Sequence, residues 1–553
     1  MASSSTSTSV LPRLPIFEAV ARHDPESIAV VHSLSGRSFT YGQLLGDVRR
    51  ARDRLREASG RDDLDVTLLA VLAARSIAVP LSPAFPAPEL EYILNHSEAS
   101  LLVSSTKFVS KAQEVLAIDL KSKPAYLELA KHLSDASQKE HVALEGDSPG
   151  GAGLMLYTSG TTNRPRSHCP GQFPTSGLEI HPLRSPPPRP PPPPHPRRRQ
   201  RHPHPLFAGS SIEFMFPFNP DAVWRRLAAP FLPTNGDNPK STKVTFFTVV
   251  PTVYSRLLAT HKSLSPEMQE ATREAISPSN LRINISGSAA LPTPIKAAWS
   301  DLSRGNVLLE RYGMTEVGMA LSCGLDFADR VDASVGWPLP SVQARLVDVD
   351  TGEIIQPGQE LDPKGRERSG EIQLRGPTIF QEYWRNPEAT EKEFVAGEDG
   401  QGRWFKTGDV AVRRAVPSAG QNAPAQPWAQ GLLYFIQGRK TADIIKTGGE
   451  KVSALEVERE LLSLPEVSEA AVVAVPSGNW GQKVGAVIVL DTEYTQKWTP
   501  LEMRRALKSR LANYKIPQVM RVVDHIPRNA MGKINKKQLV RAIFVDEFSG
   551  DEV

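Results

Sequence analysis

Apolar positions along this chain recur in two alternating periods. From residue 41 to 58 they fall at helical spacing with charges between them, which predicts an amphipathic helix. Ile28-Ala29-Val30-Val31 is a short continuous apolar run and predicts a strand. The alternation runs from Leu14 to Lys107 and again from Leu206 to Asp409, with strands expected near 244–250 and 282–285. Helices and strands interleaved in this way indicate an α/β fold. After Val347, Pro-Gly pairs and charged turns become frequent, so shorter β structure is expected there, and the Pro/Ala/Gln-rich stretch 414–430 reads as an insertion between strands. From about Arg439 a compact α/β unit begins, with helices expected over 454–462 and 501–511, a strand over 470–475 and a basic terminal helix.

Length and composition narrow the picture. At 553 residues the chain exceeds one ordinary core, and 40% hydrophobic with 23% charged residues is globular. Its two cysteines, Cys169 and Cys323, make neither a disulfide framework nor a metal cluster, which favours a reducing, intracellular setting. The longest apolar candidate, 66–81, is interrupted by Arg75, so no membrane span is expected. The net charge of +4 suggests a nucleic-acid partner, but six arginines (184, 189, 197, 198, 199 and 201) lie between Glu179 and Glu213 with no acid among them. The rest of the chain is at −2, and no nucleic-acid partner is expected. The Ser/Thr-rich residues 1–13 read as a disordered terminus rather than a transit peptide, and the end Asp551-Glu552-Val553 is no peroxisomal address.

Candidate chemistry starts at Leu156-Tyr157-Thr158-Ser159-Gly160-Thr161-Thr162, a strand emptying into a hydroxyl-rich loop. Such a loop offers backbone N–H and O–H donors to phosphate oxygens, and its glycine permits close approach. It lacks the Gly-x-x-x-x-Gly-Lys pattern of the common nucleotide loop and needs support from elsewhere. Four further segments give it: Arg311-Tyr312-Gly313-Met314-Thr315-Glu316, Trp404-Phe405-Lys406-Thr407-Gly408-Asp409, Gly438-Arg439 through Ile445-Lys446-Thr447-Gly448-Gly449, and Asn529-Ala530-Met531-Gly532-Lys533. Each alone is an ordinary turn; together, in this order and spacing, they are not.

With these segments the chain resembles the adenylate-forming superfamily of acyl-CoA synthetases, adenylation domains and luciferases over nearly its whole length. The resemblance implies a large amino-terminal domain (14–439) of stacked α/β sheets with a small barrel-like β portion, and a small mobile α+β domain (440–553) hinged near residues 440–443. It implies that Thr158, Ser159, Gly160, Thr161 and Thr162 handle pyrophosphate, with Ser288 and Ala289 beside the nucleotide. Tyr312 would stack on adenine, Thr315 would touch the α-phosphate, Glu316 would hold Mg²⁺, and Asp409 would bind the ribose with Arg439 close by. Lys533 would be the catalytic lysine of adenylation, and Lys446 would face the site in a second conformation. ATP, Mg²⁺ and CoA are therefore the expected co-substrates and cofactor. Within the superfamily, the segments 246–252, 282–292 and 445–449 are most similar to malonyl-CoA and methylmalonyl-CoA synthetases. That likeness implies that Arg282 pairs with the distal carboxylate, with Ser286, Gly287 and Met314 around the acyl group. A guanidinium suits that task, since it can grip a carboxylate bidentately. A ligase for another short or medium-chain acid, an adenylation domain loading a separate carrier, and a non-catalytic scaffold stand as alternatives. The compartment is read as cytoplasmic, with mitochondrial as the alternative.

The pattern breaks in two places. After Pro165, Arg166-Ser167 replaces the family's Lys-Gly, and 167–205 becomes an aberrant Pro/Arg-rich tract. Residues 182–205 cannot form a helix or a central strand, because proline removes donors and clashes; polyproline II is the best they can do. Near residues 62–66 the family's strand and part of a helix are missing. Both breaks read as a skipped exon with out-of-frame or intronic translation. An SH3- or WW-type partner for 182–205 is the functional alternative, and is not favoured. The chain as written is expected to be aggregation-prone or inactive, because a lost core strand and its covering helix outweigh the roughly 5–15 kcal/mol by which domains are stable.

Overall fold

The computed structural model describes residues 10–545 except 34, 60–67, 84, 130–141, 146–152, 159–165, 170–204, 216, 234–241, 478–480 and 529–533. The chain forms two compact units. The first comprises Met1–Phe218, Thr315–Gly318 and Pro377–Lys392; the second comprises Asn219–Met314, Met319–Gly376 and Glu393–Val553.

In the first unit the amphipathic pattern becomes the helix Tyr41–Ser59, and the apolar run becomes the strand Ile28–His32. The helix buries Tyr41, Leu45 and Val48 against Phe17, Leu72 and Leu206, and the Tyr41 hydroxyl donates to the Ser210 carbonyl at 2.9 Å. Ile212–Phe214 pairs in parallel with Ile28–His32. The sequence resuming at Leu206 is therefore built into this core. Two short parallel pairs, Ile77–Ala78 with Gly153–Leu154 and Leu101–Ser105 with Ala125–Leu129, lie in the same unit, as do the pair Leu11–Pro12 with Leu144–Glu145 and a three-stranded antiparallel sheet of Leu156–Thr158, Arg166–Cys169 and Glu382–Tyr383. The helix Ala87–Ser97 connects the first of these pairs to the second.

The second unit is built on an eleven-stranded sheet that starts parallel and turns antiparallel. Its parallel part is Phe246–Val249, Ile283–Ser286 and Leu309–Met314. The helices Pro251–His261 and Thr293–Leu302 pack beside it, and the fully buried Trp224 and Trp299 stack with ring centroids 6.2 Å apart. The antiparallel part runs in spatial order through Gly318–Ser322, Ser334–Pro338, Leu433–Arg439, Arg403–Arg414, Gly370–Arg375, Gln343–Asp348 and Ile354–Ile355. The expected barrel-like portion is corrected here: among the described residues the series ends on the two-residue strand Ile354–Ile355, which pairs on one side only, so the sheet keeps an edge there and forms no closed barrel.

The stretch 414–430 does lie between Arg403–Arg414 and Leu433–Arg439, but it is docked. The Asp329 carboxylate accepts from the Gly420 amide at 2.7 Å and from Gln426 Nε2 at 3.3 Å, while Ala419 and Ala429 pack on Trp337. Beyond residue 440 a separate sheet forms from Ile444–Thr447, Glu450–Ser453, Val467–Ser477, Gly481–Leu490 and Val519–Val522. The helices Ala454–Leu462 and Pro500–Leu507 bury one face around Val457, Leu461, Met503 and Leu507. The basic helix Lys536–Ile543 covers the other with Leu539, Val540 and Phe544. Ser453 ties this sheet to the larger one: its hydroxyl caps the following helix at the Glu456 amide and donates to the Gln437 carbonyl at 2.6 Å.

Candidate functional site

In a parallel sheet, ligands meet the carboxyl ends of the strands. In the second unit that end of Ile283–Ser286 carries Ser286, Gly287, Ser288 and Ala289, and that of Leu309–Met314 carries Tyr312 and Met314. Ser286 is 1% exposed, and its Oγ has no hydrogen-bond partner among the described residues. Ser288 holds φ +68°, uncommon for a side chain with a Cβ, and such backbone outliers cluster at ligand sites. Arg282 sits elsewhere. It precedes the amino end of the same strand, a strand's length (~13 Å) from the Ser-Gly-Ser turn, and burial draws its guanidinium below the usual arginine range. The structure does not bring Arg282 together with Ser286, Gly287 and Met314.

Three predicted residues do converge. The Arg403–Arg414 and Leu433–Arg439 strands pair with Asp409 opposite Arg439. Tyr312 donates its hydroxyl to Asp409 Oδ2 at 2.6 Å, and Arg439 Nε meets Asp409 Oδ1 at 2.8 Å. The Asp409 amide donates to Thr407 Oγ1 at 3.1 Å, and that hydroxyl donates to the Ile372 carbonyl at 2.8 Å. Asp409 is thus fixed at both carboxylate oxygens and at its backbone. Burial, reinforced by the Asp409 charge, raises the Tyr312 phenol well above its ordinary range, so it is a neutral donor at any physiological pH.

Beyond Arg439 the chain turns into the carboxy-terminal sheet through Lys440-Thr441-Ala442-Asp443. Gly438 opens this turn at φ +123°, and a Cβ there would fall 2.4 Å from that of Asp443. Asp443 Oδ2 accepts the Arg439 amide at 2.9 Å, and Asp443 Oδ1 meets Lys536 Nζ at 2.5 Å; the same ammonium lies 2.7 Å from Glu458. Lys536 is three residues beyond Lys533, which lies outside the described residues. So do Ser159, Gly160, Thr161 and Thr162; of Thr158 only its place in the strand Leu156–Thr158 is described. Lys446 is exposed on the strand Ile444–Thr447, its amide donating to Gln482 Oε1 at 2.8 Å. Thr315 and Glu316 belong to the first unit, where Thr315 is exposed and Glu316 Oε1 accepts the Tyr383 hydroxyl at 3.4 Å. The tract 182–205 lies outside the described residues apart from Pro205, which opens the short helix Pro205–Ala208.

One buried group escaped sequence reasoning. Lys296 and Glu310 pair at 2.9 Å, with Lys296 3% and Glu310 7% exposed, and Lys296 also donates to the Val331 carbonyl at 3.2 Å. Burial alone pulls the Lys296 amine down, but Glu310 outweighs it and the amine sits above its usual range; burial pushes the Glu310 carboxyl up. The pair anchors the strand that presents Tyr312.

The "AMP-binding enzyme" family model matches residues 17–167 and 233–384, and the "AMP-binding enzyme C-terminal domain" model matches 456–533. The chain belongs to the AMP-binding enzyme family. Among its relatives is a CoA ligase of Gibberella moniliformis, 52% identical over 588 residues, covering 97% of this chain and 96% of that one. That alignment is longer than the chain itself, so it opens gaps where this chain lacks residues. The human mitochondrial malonate–CoA ligase ACSF3 is 34% identical over 498 residues, covering 84% of this chain and 78% of that one. ATP-bound MatB from Rhodopseudomonas palustris superposes with a TM-score of 0.69 at 26% identity, covering 96% and 98% of the two chains. The chain is by kind an AMP-forming acyl-CoA ligase, a member of the AMP-binding family that works through an acyl-adenylate. No helix among the described residues is long and apolar enough to cross a membrane.

Proposed function

We propose that this AMP-binding enzyme activates malonate or methylmalonate. The observation that carries the adenylating part is the convergence of Tyr312 and Arg439 on the Asp409 carboxylate, the group that the family resemblance assigns to the ribose hydroxyls. The dicarboxylate is supported by similarity, over more than four-fifths of the chain, to an enzyme named a malonate–CoA ligase. A carboxylate is a poor acyl donor because its leaving group would be oxide; attack on the α-phosphate of ATP converts that group to AMP. Lys533, Thr315 and the hydroxyl loop 158–162 are the residues to meet the phosphate charge. A carboxylate such as Glu316 is the donor Mg²⁺ takes alongside phosphate oxygens, and the ion would neutralise charge there. Lys446 is assigned to the thioester-forming step that follows.

Arg282 is the weaker part of the proposal, because its place at the amino end of the strand is the wrong end for the acyl group. The chain's two breaks also bear on turnover: the family model leaves 168–232 unmatched, across the Pro/Arg tract. ATP–pyrophosphate exchange should therefore be measured on the chain as written and on a chimera carrying the Gibberella relative's residues across 60–67 and 168–205, with malonate, methylmalonate, acetate and octanoate. Malonate-dependent exchange in the chimera, weak or lost in the chain as written, is the expected result. Exchange driven equally by acetate or octanoate would overturn the dicarboxylate. A malonate KM unchanged within about twofold in Arg282→Ala would remove that residue from the site.

A further inference from the structure

The strand Arg403–Arg414 does not run evenly against Gly370–Arg375. Glu371 lies opposite Val410 and Gln373 opposite Lys406, so Ile372 alone faces Thr407, Gly408 and Asp409. That is a β-bulge, which interrupts the ladder, bends the strand and re-aims a side chain. The side chain re-aimed here is Asp409, and Gly408 supplies the left-handed φ of +72° beside it.

A bulge releases backbone groups from the ladder, and those away from water must find other partners. The Ile372 carbonyl accepts the Thr407 hydroxyl at 2.8 Å, and the Asp409 amide donates to that same hydroxyl oxygen at 3.1 Å. The Gly408 amide donates to Glu371 Oε1 at 3.1 Å, and the Gly408 carbonyl accepts the Lys440 amide at 2.9 Å. Thr407 serves the bulge from within. Glu371 serves it from the neighbouring strand, where Ser-Gly-Glu-Ile-Gln reads in the sequence as an ordinary strand start.

Glu371 is itself held in place. It is nearly buried, and its Oε2 lies 3.3 Å from Lys440 Nζ. One carboxylate oxygen thus meets a backbone amide and the other an ammonium, the pairing a buried charge requires. Lys440 directly follows Arg439, whose guanidinium meets Asp409. Two consecutive residues therefore supply the cation on Asp409, the donor on the Gly408 carbonyl and the cation on Glu371.

We infer that Glu371 is a positioning residue for the nucleotide: through the Gly408 amide it sets the direction in which Asp409 presents its carboxylate to the ribose hydroxyls. The inference rests on the assignment of Asp409 to the ribose. Glu371 acts through the backbone rather than by contact with substrate. Without it the Gly408 peptide, which carries no Cβ to limit its rotation, loses the bond that fixes its plane. The long side chains of Tyr312 and Arg439 can follow a displaced Asp409; a bound ribose, held also at its base and phosphates, cannot.

Glu371, Gly408, Asp409 and Lys440 all belong to the second unit, whereas both breaks in the family pattern fall in the first, so the test uses the full chain as written. Affinities for ATP and for 2′,3′-dideoxy-ATP are compared by calorimetry, and exchange of the Gly408 amide is followed by mass spectrometry. The unaltered chain should prefer ATP by about tenfold or more, because a site built to pair hydroxyls rejects an analogue lacking them. In Glu371→Ala the ratio should fall to within about twofold of one, and Gly408 exchange should quicken about tenfold or more. In Glu371→Gln both should stay near those of the unaltered chain, since the side-chain carbonyl accepts the same amide. A general loss of stability would weaken both nucleotides alike and leave the ratio intact. Equal binding of the two nucleotides by the unaltered chain overturns the ribose assignment and the proposal with it. A preference retained in Glu371→Ala, or Gly408 exchange unchanged in it, overturns the role of Glu371 alone.

Discussion

Asp409 shows what a side chain's surroundings add to its identity. A lone Asp after a glycine is usually a turn-former, and the motif around it suggested a ribose ligand; the structure adds that Tyr312 and Arg439 each hold one of its oxygens. Asp409→Asn keeps the shape and loses the charge, leaving the Arg439 guanidinium without its counter-ion. In the restored chimera we expect ATP–pyrophosphate exchange to fall on the order of a hundredfold, with most of the loss in the KM for ATP. Tyr312→Phe removes one hydrogen bond of about 1–2 kcal/mol and should cost about tenfold. Because the Tyr312 phenol titrates well above its normal range, no limb of the pH profile between 6 and 9 should move in that variant. Tyr312, Asp409 and Arg439 were legible because each sits in a short motif with its own turn chemistry. Lys296 and Glu310 were not: fourteen residues separate them, and a lysine amid Pro-Ile-Lys-Ala-Ala reads as a solvated helix face until its partner strand is in place.

Elements with strong periodicity were read closely, and their ends and docking were not. The helix expected over 501–511 stops at Leu507, although Leu511 still packs into the core beyond it. The loop 414–430 was read as an insertion between strands, which it is, but its docking on Asp329, nearly a hundred residues earlier, was not legible in its Pro, Ala and Gln content. The barrel-like expectation failed for a related reason: whether antiparallel strands close depends on the last pairing, and Ile354–Ile355 ends the series at an edge. The turn at Gly438 gives an element-scale prediction. Its left-handed φ and the 2.4 Å approach to Asp443 leave no room for a Cβ. Gly438→Ala should therefore cost about 1–3 kcal/mol or force the Arg439–Asp443 bond apart. A lowered urea midpoint together with altered exchange of the Arg439 amide would show it; an unchanged midpoint and amide would refute the strain.

At the scale of the molecule, buried titratable groups set the alkaline limit of stability. Burial lifts the Cys323 thiol from 9.0 to about 12 and the Tyr41 phenol from 10.0 to about 12. In the unfolded chain these groups lose their protons first, so rising pH favours unfolding through the window from about 9 to 12, and the stability they allow is intact below it. Urea midpoints at pH 8, 9.5 and 11 should decline steadily, and Cys323→Ala with Tyr41→Phe should flatten the decline. The two units must be followed separately, and the aromatic residues decide how. Of the eight tryptophans, including the stacked Trp224 and Trp299, seven belong to the second unit; the first holds Trp384 alone. Intrinsic emission is thus nearly blind to the first unit. A fluorescence melt could report a healthy, cooperative protein while the half that lacks these reporters had already come apart in the dark.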